Sequence, residues 1–289
     1  MFDGFDRRQV ALNDSVLHVR TAGEGPPLLC LHGYPQTGAA WHAVAPALAD
    51  EYRVVVPDLR GYGASEGPPN PTAADYAKRA LARDAADLMS ELGHETFVVA
   101  GHDRGARVGY RLALDHPCRI RRLAVFDITP TLAKAEAMDW QAAESSFHWL
   151  FLAQPRPLPE TLIRADPDLF LEFLLNSWAG DRSALASEAV TAYRDAFRRE
   201  RVIRATCEDY RAGLSVDLDH DRASRAAGDR VDCPLLAVWG AAGRTANADP
   251  LDVWKRWATD VQGGPADCGH FVMEEAPTET TDRLRAFLT

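Results

Sequence analysis

Short apolar runs rich in β-branched side chains recur along the chain: PLLCLH at 27–32, RVVVP at 53–57, TFVVAG at 96–101, RLAVFD at 122–127 and PLLAVW at 234–239. A strand with one wet face alternates apolar and polar residues, whereas a run that is apolar throughout predicts a strand covered on both faces. Between such runs lie stretches of helical period. In 76–92, Leu81, Ala85, Leu88 and Leu92 recur at steps of three and four residues, and Gly93 ends the helix. Strand and helix in alternation predict an α/β fold with a mostly parallel sheet. From about 130 to 230 the pattern changes: apolar positions keep a helical period, no buried-strand run occurs, and prolines stand at 155, 157 and 159. The strand pattern resumes near 233. A helical insertion over 130–230 is therefore expected to interrupt one core made of 1–129 and 231–289.

A length of 289 residues accommodates one core with an inserted subdomain. Hydrophobic residues at 46% and charged residues at 26% are ordinary for a globular enzyme and exclude a disordered chain. The net charge of −10 disfavours nucleic acid, so an anionic substrate must be drawn by a local basic site. Cys30, Cys118, Cys207, Cys233 and Cys268 are widely spaced with no CxxC pair, which suggests neither a disulfide framework nor a zinc site. The opening MFDGFDRRQV lacks the apolar core of a signal peptide, and no long uncharged run suggests a membrane span. A cytoplasmic protein without a membrane partner is the expectation.

The candidate chemistry starts at 101–105. The run TFVVAG leads into Gly101-His102-Asp103-Arg104-Gly105 and then into a helical stretch, the strand, turn and helix of a nucleophile elbow with aspartate where serine usually stands. A carboxylate is already ionised at neutral pH and can displace a leaving group from saturated carbon, leaving an ester on the protein. The bland alternative is that Asp103 caps the following helix. His32-Gly33-Tyr34-Pro35 ends another buried strand at the same sheet edge, so the backbone N–H groups of Tyr34 and Arg104 are candidates for an oxyanion hole. His270 falls late in the chain, just before a final helix at 278–288, which gives the order nucleophile, acid, histidine. From the residues alone the acid is open between Asp127, at the end of RLAVFD, and Asp249 or Asp252, after PLLAVWG.

Taken together, His32-Gly33-Tyr34-Pro35, Gly101 to Arg107, His148-Trp149 and Cys207-Glu208-Asp209-Tyr210-Arg211-Ala212-Gly213 resemble the fluoroacetate (haloacetate) dehalogenases of the α/β-hydrolase superfamily. The resemblance implies an α/β-hydrolase fold with a helical cap, Asp103 as nucleophile, His270 as the activator of water and Asp127 as the acid that orients it. It also implies Arg104 and Arg107 as ligands of a substrate carboxylate, for which a forked guanidinium suits. His148, Trp149 and Tyr210 would bind the departing halide, and each can donate a hydrogen bond. Trp178 either lines the same pocket or fills the cap. The implied reaction converts a small haloacid such as haloacetate to glycolate and halide without metal or other cofactor, and a homodimer is suggested. Tyr34 departs from the phenylalanine common at that position. Two other functions compete: epoxide hydrolysis with the same aspartate, which the paired arginines fit poorly, and non-catalytic binding of a small molecule, against which the intact Asp103, His270 and acid set argues.

Overall fold

The computed structural model describes the whole chain except Arg244 and residues 246–248. Its framework is an eight-stranded sheet of β1 (Asp6–Ala11), β2 (Val16–Ala22), β3 (Pro27–Leu31), β4 (Arg53–Pro57), β5 (Phe97–His102), β6 (Ile120–Phe126), β7 (Leu235–Gly240) and β8 (Val261–Ala266). The spatial order is β1-β2-β4-β3-β5-β6-β7-β8. β2 runs antiparallel to both its neighbours, and every other pair is parallel. The apolar runs of the sequence are the central strands β3 to β7, with ends displaced by a residue or two. Their pattern was visible because helices cover both faces. β1, β2 and β8 fall outside any such run. β1 is an exposed edge strand, β2 alternates buried and half-buried residues, and β8 is a polar, glycine-bearing edge, so backbone pairing rather than side-chain burial defines them.

Helices α1 (Val44–Leu48), α2 (Lys78–Glu91) and α3 (Arg104–Asp115) belong to the first half of the chain. Between β6 and β7 the described chain is helical: α4 (Thr131–Glu136), α5 (Trp140–Ser145), α6 (Phe147–Leu152), α7 (Leu158–Ala165), α8 (Pro167–Trp178), α9 (Ser187–Phe197), α10 (Glu200–Gly213) and α11 (Val216–Ala227). Then come α12 (Pro250–Lys255), α13 (Val272–Glu275) and α14 (Pro277–Leu288). Successive residues of a strand face opposite ways. Leu28, Cys30, Val54 and Val56 therefore pack with Val44 and Leu48 of α1 and Leu284 and Phe287 of α14. Leu29, Leu31, Val55 and Val99 meet Leu81 and Leu88 of α2 and Val108 and Leu112 of α3, and that core continues into the helical segment through Leu171, Leu175 and Tyr193. At about 1.5–3 kcal/mol for each fully buried Leu or Val, these two layers hold the strand ends in fixed relation. The carboxyl ends of β3, β5, β6 and β7 thus form a rigid platform beneath the helical segment. No described helix is long and apolar enough to cross a membrane.

Candidate active site

β5 and α3 meet at Asp103, whose backbone is held at φ +43° and ψ −113°. That left-handed geometry is costly for a residue with a Cβ and persists only where its surroundings enforce it. The glycines make it feasible. A Cβ on Gly105 would lie 2.4 Å from the His32 carbonyl oxygen, one on Gly101 2.7 Å from the Ala106 backbone, and one on Gly33 2.6 Å from the Asp103 Cβ. Asp103 does not cap α3 with its side chain, so the bland alternative fails. Its Oδ2 instead accepts the Tyr34 N–H at 3.0 Å. Burial alone would raise the Asp103 carboxyl, but the nearby His270 and the guanidinium groups of Arg107 and Arg104 outweigh it and hold the group below its ordinary value, as the carboxylate.

Across the sheet end, Asp127 follows β6 with φ +52° and accepts the N–H of His270 Nδ1 through Oδ2 at 2.5 Å. Of the three acids left open above, Asp127 is the one in contact with His270. Asp249 caps α12 through the Asp252 N–H, and Asp252 pairs with Arg256 on the surface. The His270 backbone is fixed on two sides: its N–H donates to the Trp178 carbonyl at 2.9 Å, and its carbonyl lies 2.8 Å from His102 Nε2. Burial and the neighbouring His270 push His102 down to about 3, so it is neutral and its Nε2–H is the donor to that carbonyl.

Asp103, Asp127 and His270 open onto one cavity whose wall also includes Arg107, Thr129, Lys134, Ser146, His148, Trp149, Trp178 and Thr245. Its volume of about 50 Å³ admits a few waters or a small molecule of only a few heavy atoms. Trp178, left open by the sequence, is on the wall. His148, Trp149 and Tyr210 are brought together, with ring centroids 5.5 Å apart for His148 and Tyr210 and 5.8 Å for Trp149 and Tyr210. The Tyr210 hydroxyl is buried without a hydrogen-bond partner among the described residues.

The two arginines occupy different surroundings. Arg107 donates Nη1–H to the Thr129 carbonyl at 3.1 Å and to Thr131 Oγ1 at 3.0 Å, and lies 4.7 Å from the Trp149 ring. Its Nε has no partner, and among the described residues no carboxylate is within ion-pair distance of it. Arg104 is outside the cavity lining and bound by Asp209: Nε to Oδ2 at 3.0 Å, and Nη2 to Oδ1 at 2.5 Å and to the Asp209 carbonyl at 2.6 Å. Its guanidinium sits over the Tyr210 ring at 4.3 Å, and only Nη1 is unbonded. Asp209 also takes the Lys78 ammonium and the Tyr62 hydroxyl.

Sequence reasoning did not single out His102, Asp209 and Lys78. His102 and Asp209 stand inside motifs that were recognised, but nothing in residue type says that Asp209 on α10 reaches back to the first turn of α3. Lys78 carried no signal at all.

A family model described as the alpha/beta hydrolase fold matches residues 26–277. A fluoroacetate dehalogenase from Burkholderia sp is 42% identical, with 100% of this chain and 95% of the relative aligned. A soluble epoxide hydrolase from Corynebacterium sp. (strain C12) is 33% identical over 96% of each chain. Among solved structures, the crystal structure of a candidate α/β hydrolase from Nostoc sp PCC 7120 superposes with a TM-score of 0.97 at 45% identity, covering 100% of this chain and 99% of that one.

Proposed function

The chain belongs to the α/β-hydrolase fold family, and from that premise we propose that it is a hydrolytic dehalogenase of small haloacids, with haloacetate, fluoroacetate included, as the type substrate. The observation that carries this reading is Arg107: a buried cation on the wall of a cavity shared with the ionised Asp103, with no carboxylate paired to it. A buried charge without a counterion is costly. A substrate carboxylate would supply a partner at ion-pair distance, whereas a neutral epoxide would leave Arg107 only the more distant charge of Asp103. The 42% identity with a fluoroacetate dehalogenase agrees with this preference, and the 33% identity with an epoxide hydrolase keeps that activity as the comparison to run.

In the proposed sequence, Arg107 on the cavity wall grips the carboxylate and presents the α-carbon to Asp103, while Arg104, outside that wall and held by Asp209, adds its charge from behind. An oxygen of Asp103 attacks that carbon, the carbon–halogen bond breaks, and halide leaves with the bonding pair toward His148, Trp149 and Tyr210. Asp127 holds the Nδ1–H of His270, which leaves Nε2 as the base that takes a proton from water. The hydroxide adds to the Asp103 carbonyl carbon, and the oxyanion is met by the Tyr34 N–H with the Arg104 N–H as its partner; on collapse the His270 proton passes to the departing alkoxide to give glycolate, and the Asp103 carboxyl loses its own proton to solvent, which restores the carboxylate. Residues 130–230 act as the cap over a core of 1–129 and 231–289. No cofactor takes part. The setting is cytoplasmic. A second copy of the chain is the proposed partner; the exposed Trp140, Leu158, Leu162, Leu169 and Phe173 are apolar surface that such a contact could cover. A monomer in sedimentation would remove the dimer from this reading.

Halide release across haloacetates, haloacetamide and styrene-type epoxides tests the substrate class. Release from the acids, little from the amide and no epoxide opening is the expected result, and epoxide opening alone would reverse it. A single turnover in ¹⁸O-water should place the label in Asp103; label directly in glycolate would mean that water attacks the substrate and Asp103 is not the nucleophile.

A further inference from the structure

The last residue of α13 reaches four backbone amides. Glu275 Oε2 accepts the N–H groups of Gly180 at 2.7 Å, Asp181 at 3.0 Å and Gly269 at 3.0 Å, and Oε1 accepts that of Phe271 at 2.9 Å. Gly269 and Phe271 flank His270; Gly180 and Asp181 follow Trp178 at the end of α8. The two segments run in close contact. A Cβ on Gly269 would lie 2.1 Å from the Gly180 nitrogen and 2.8 Å from the Trp178 carbonyl oxygen. One carboxylate thus closes a joint between the loop bearing His270 and the segment bearing Trp178, both of which reach the cavity wall. An uncharged amide has one acceptor oxygen, and its NH₂ would oppose N–H groups already pointing at it.

We propose that Glu275 is a positioning residue for the water-activating step: it seats the backbone on both sides of His270 so that the imidazole stays between Asp127 and the ester formed on Asp103. This rests on the two-step reading above. Attack by Asp103 does not require His270, so loss of the joint should separate the two steps. A residue that only supported the fold would slow both alike.

The adjacent Glu274 supplies a control on the same turn. It is buried, and Gln36 Nε2 donates to it, tying the loop after Tyr34 to α13. Its partner is none of the four amides, and a neutral side chain of the same shape can keep it.

In rapid-quench measurements with haloacetate, Glu275→Gln should release the first halide per site at close to the unaltered rate. Its steady-state rate should then fall roughly tenfold to a hundredfold, the loss expected of a misplaced reacting group. Intact-protein mass spectra should show the ester accumulating, and Glu275→Asp, which keeps the charge, should recover part of the loss. Glu274→Gln should stay within about twofold of the unaltered rate in both phases. Equal slowing of both phases in Glu275→Gln, or no slowing, would overturn the proposal. A readout without substrate accompanies this: the low-field proton resonance of His270 Nδ1–H should broaden in Glu275→Gln and persist in Glu274→Gln. If the unaltered protein releases no halide, the haloacid reading fails. The resonance then decides the joint alone, and an unchanged sharp signal in Glu275→Gln would overturn it.

Discussion

Two buried carboxyl groups near the candidate site have opposite fates. Asp209, beneath Arg104, would be raised by burial, but the Arg104 guanidinium and the Lys78 ammonium outweigh that and hold it well below the usual carboxylate range. Burial pushes Glu274, four residues after His270, up to about 8; it meets neutral donors in Tyr193 and Gln36, has the acidic Glu275 beside it and feels Arg182 only weakly. Burial is common to both, so it does not decide charge. The partner does. The same rule separates the arginines of α3, because Arg104 has its counterion built in and Arg107 does not.

The strongest way to break the contrast is Asp209→Asn. It leaves Arg104 and Lys78 buried with one carboxylate fewer, and the expected cost is about 3–5 kcal/mol in urea or thermal unfolding. A loss under about 1 kcal/mol would mean that Asp209 does not hold this network together.

Arg107→Ala comes next. If the unpaired guanidinium binds the substrate carboxylate, kcat/KM for haloacetate should fall about a hundredfold, with KM raised and kcat lowered. The unaltered protein should already be poor on haloacetamide. Equal turnover of acid and amide would remove the clamp.

Opposite pH slopes would sharpen the comparison. Asp209 is lowered in the folded protein, so its stabilisation is present above the ordinary carboxylate range and is lost as pH falls below that range toward the lower folded value. Glu274 is raised from 4.5 to about 8, so the folded protein holds a proton that the unfolded chain has released; its contribution is full below about pH 4.5 and declines as pH rises toward 8. Glu274→Gln should flatten that decline in denaturation curves at pH 5 and pH 8 while leaving the acid limb as it was. An unchanged slope would show that Glu274 is ionised in the folded protein.

The smallest effect concerns Tyr210, whose buried hydroxyl has no hydrogen-bond partner among the described residues to lose. Tyr210→Phe should leave stability unchanged or raise it by up to about 1 kcal/mol. Turnover should fall more for fluoroacetate than for bromoacetate, because fluoride depends most on a hydrogen bond as it leaves. Equal losses for both halides would take Tyr210 out of the halide site.

Sequence alone determined what local chemistry can dictate. Apolar runs covered on both faces gave the central strands, a helical period gave α2, and Gly101, Asp103 and Gly105 between strand and helix marked the elbow. The edge strands β1 and β8 were illegible because exposed side chains leave no hydrophobic record of backbone pairing. From the residues alone Asp127, Asp249 and Asp252 stayed open, and family resemblance implied Asp127; the contact itself is tertiary, since each could follow a strand and the sheet's geometry brings Asp127 to His270. Tertiary structure also divided Arg104 from Arg107: three residues apart on one helix they read alike, but α10 carries Asp209 to the first and leaves the second facing the cavity. Charge compensation in a folded protein joins residues more than a hundred positions apart, and no local pattern in the chain encodes that distance.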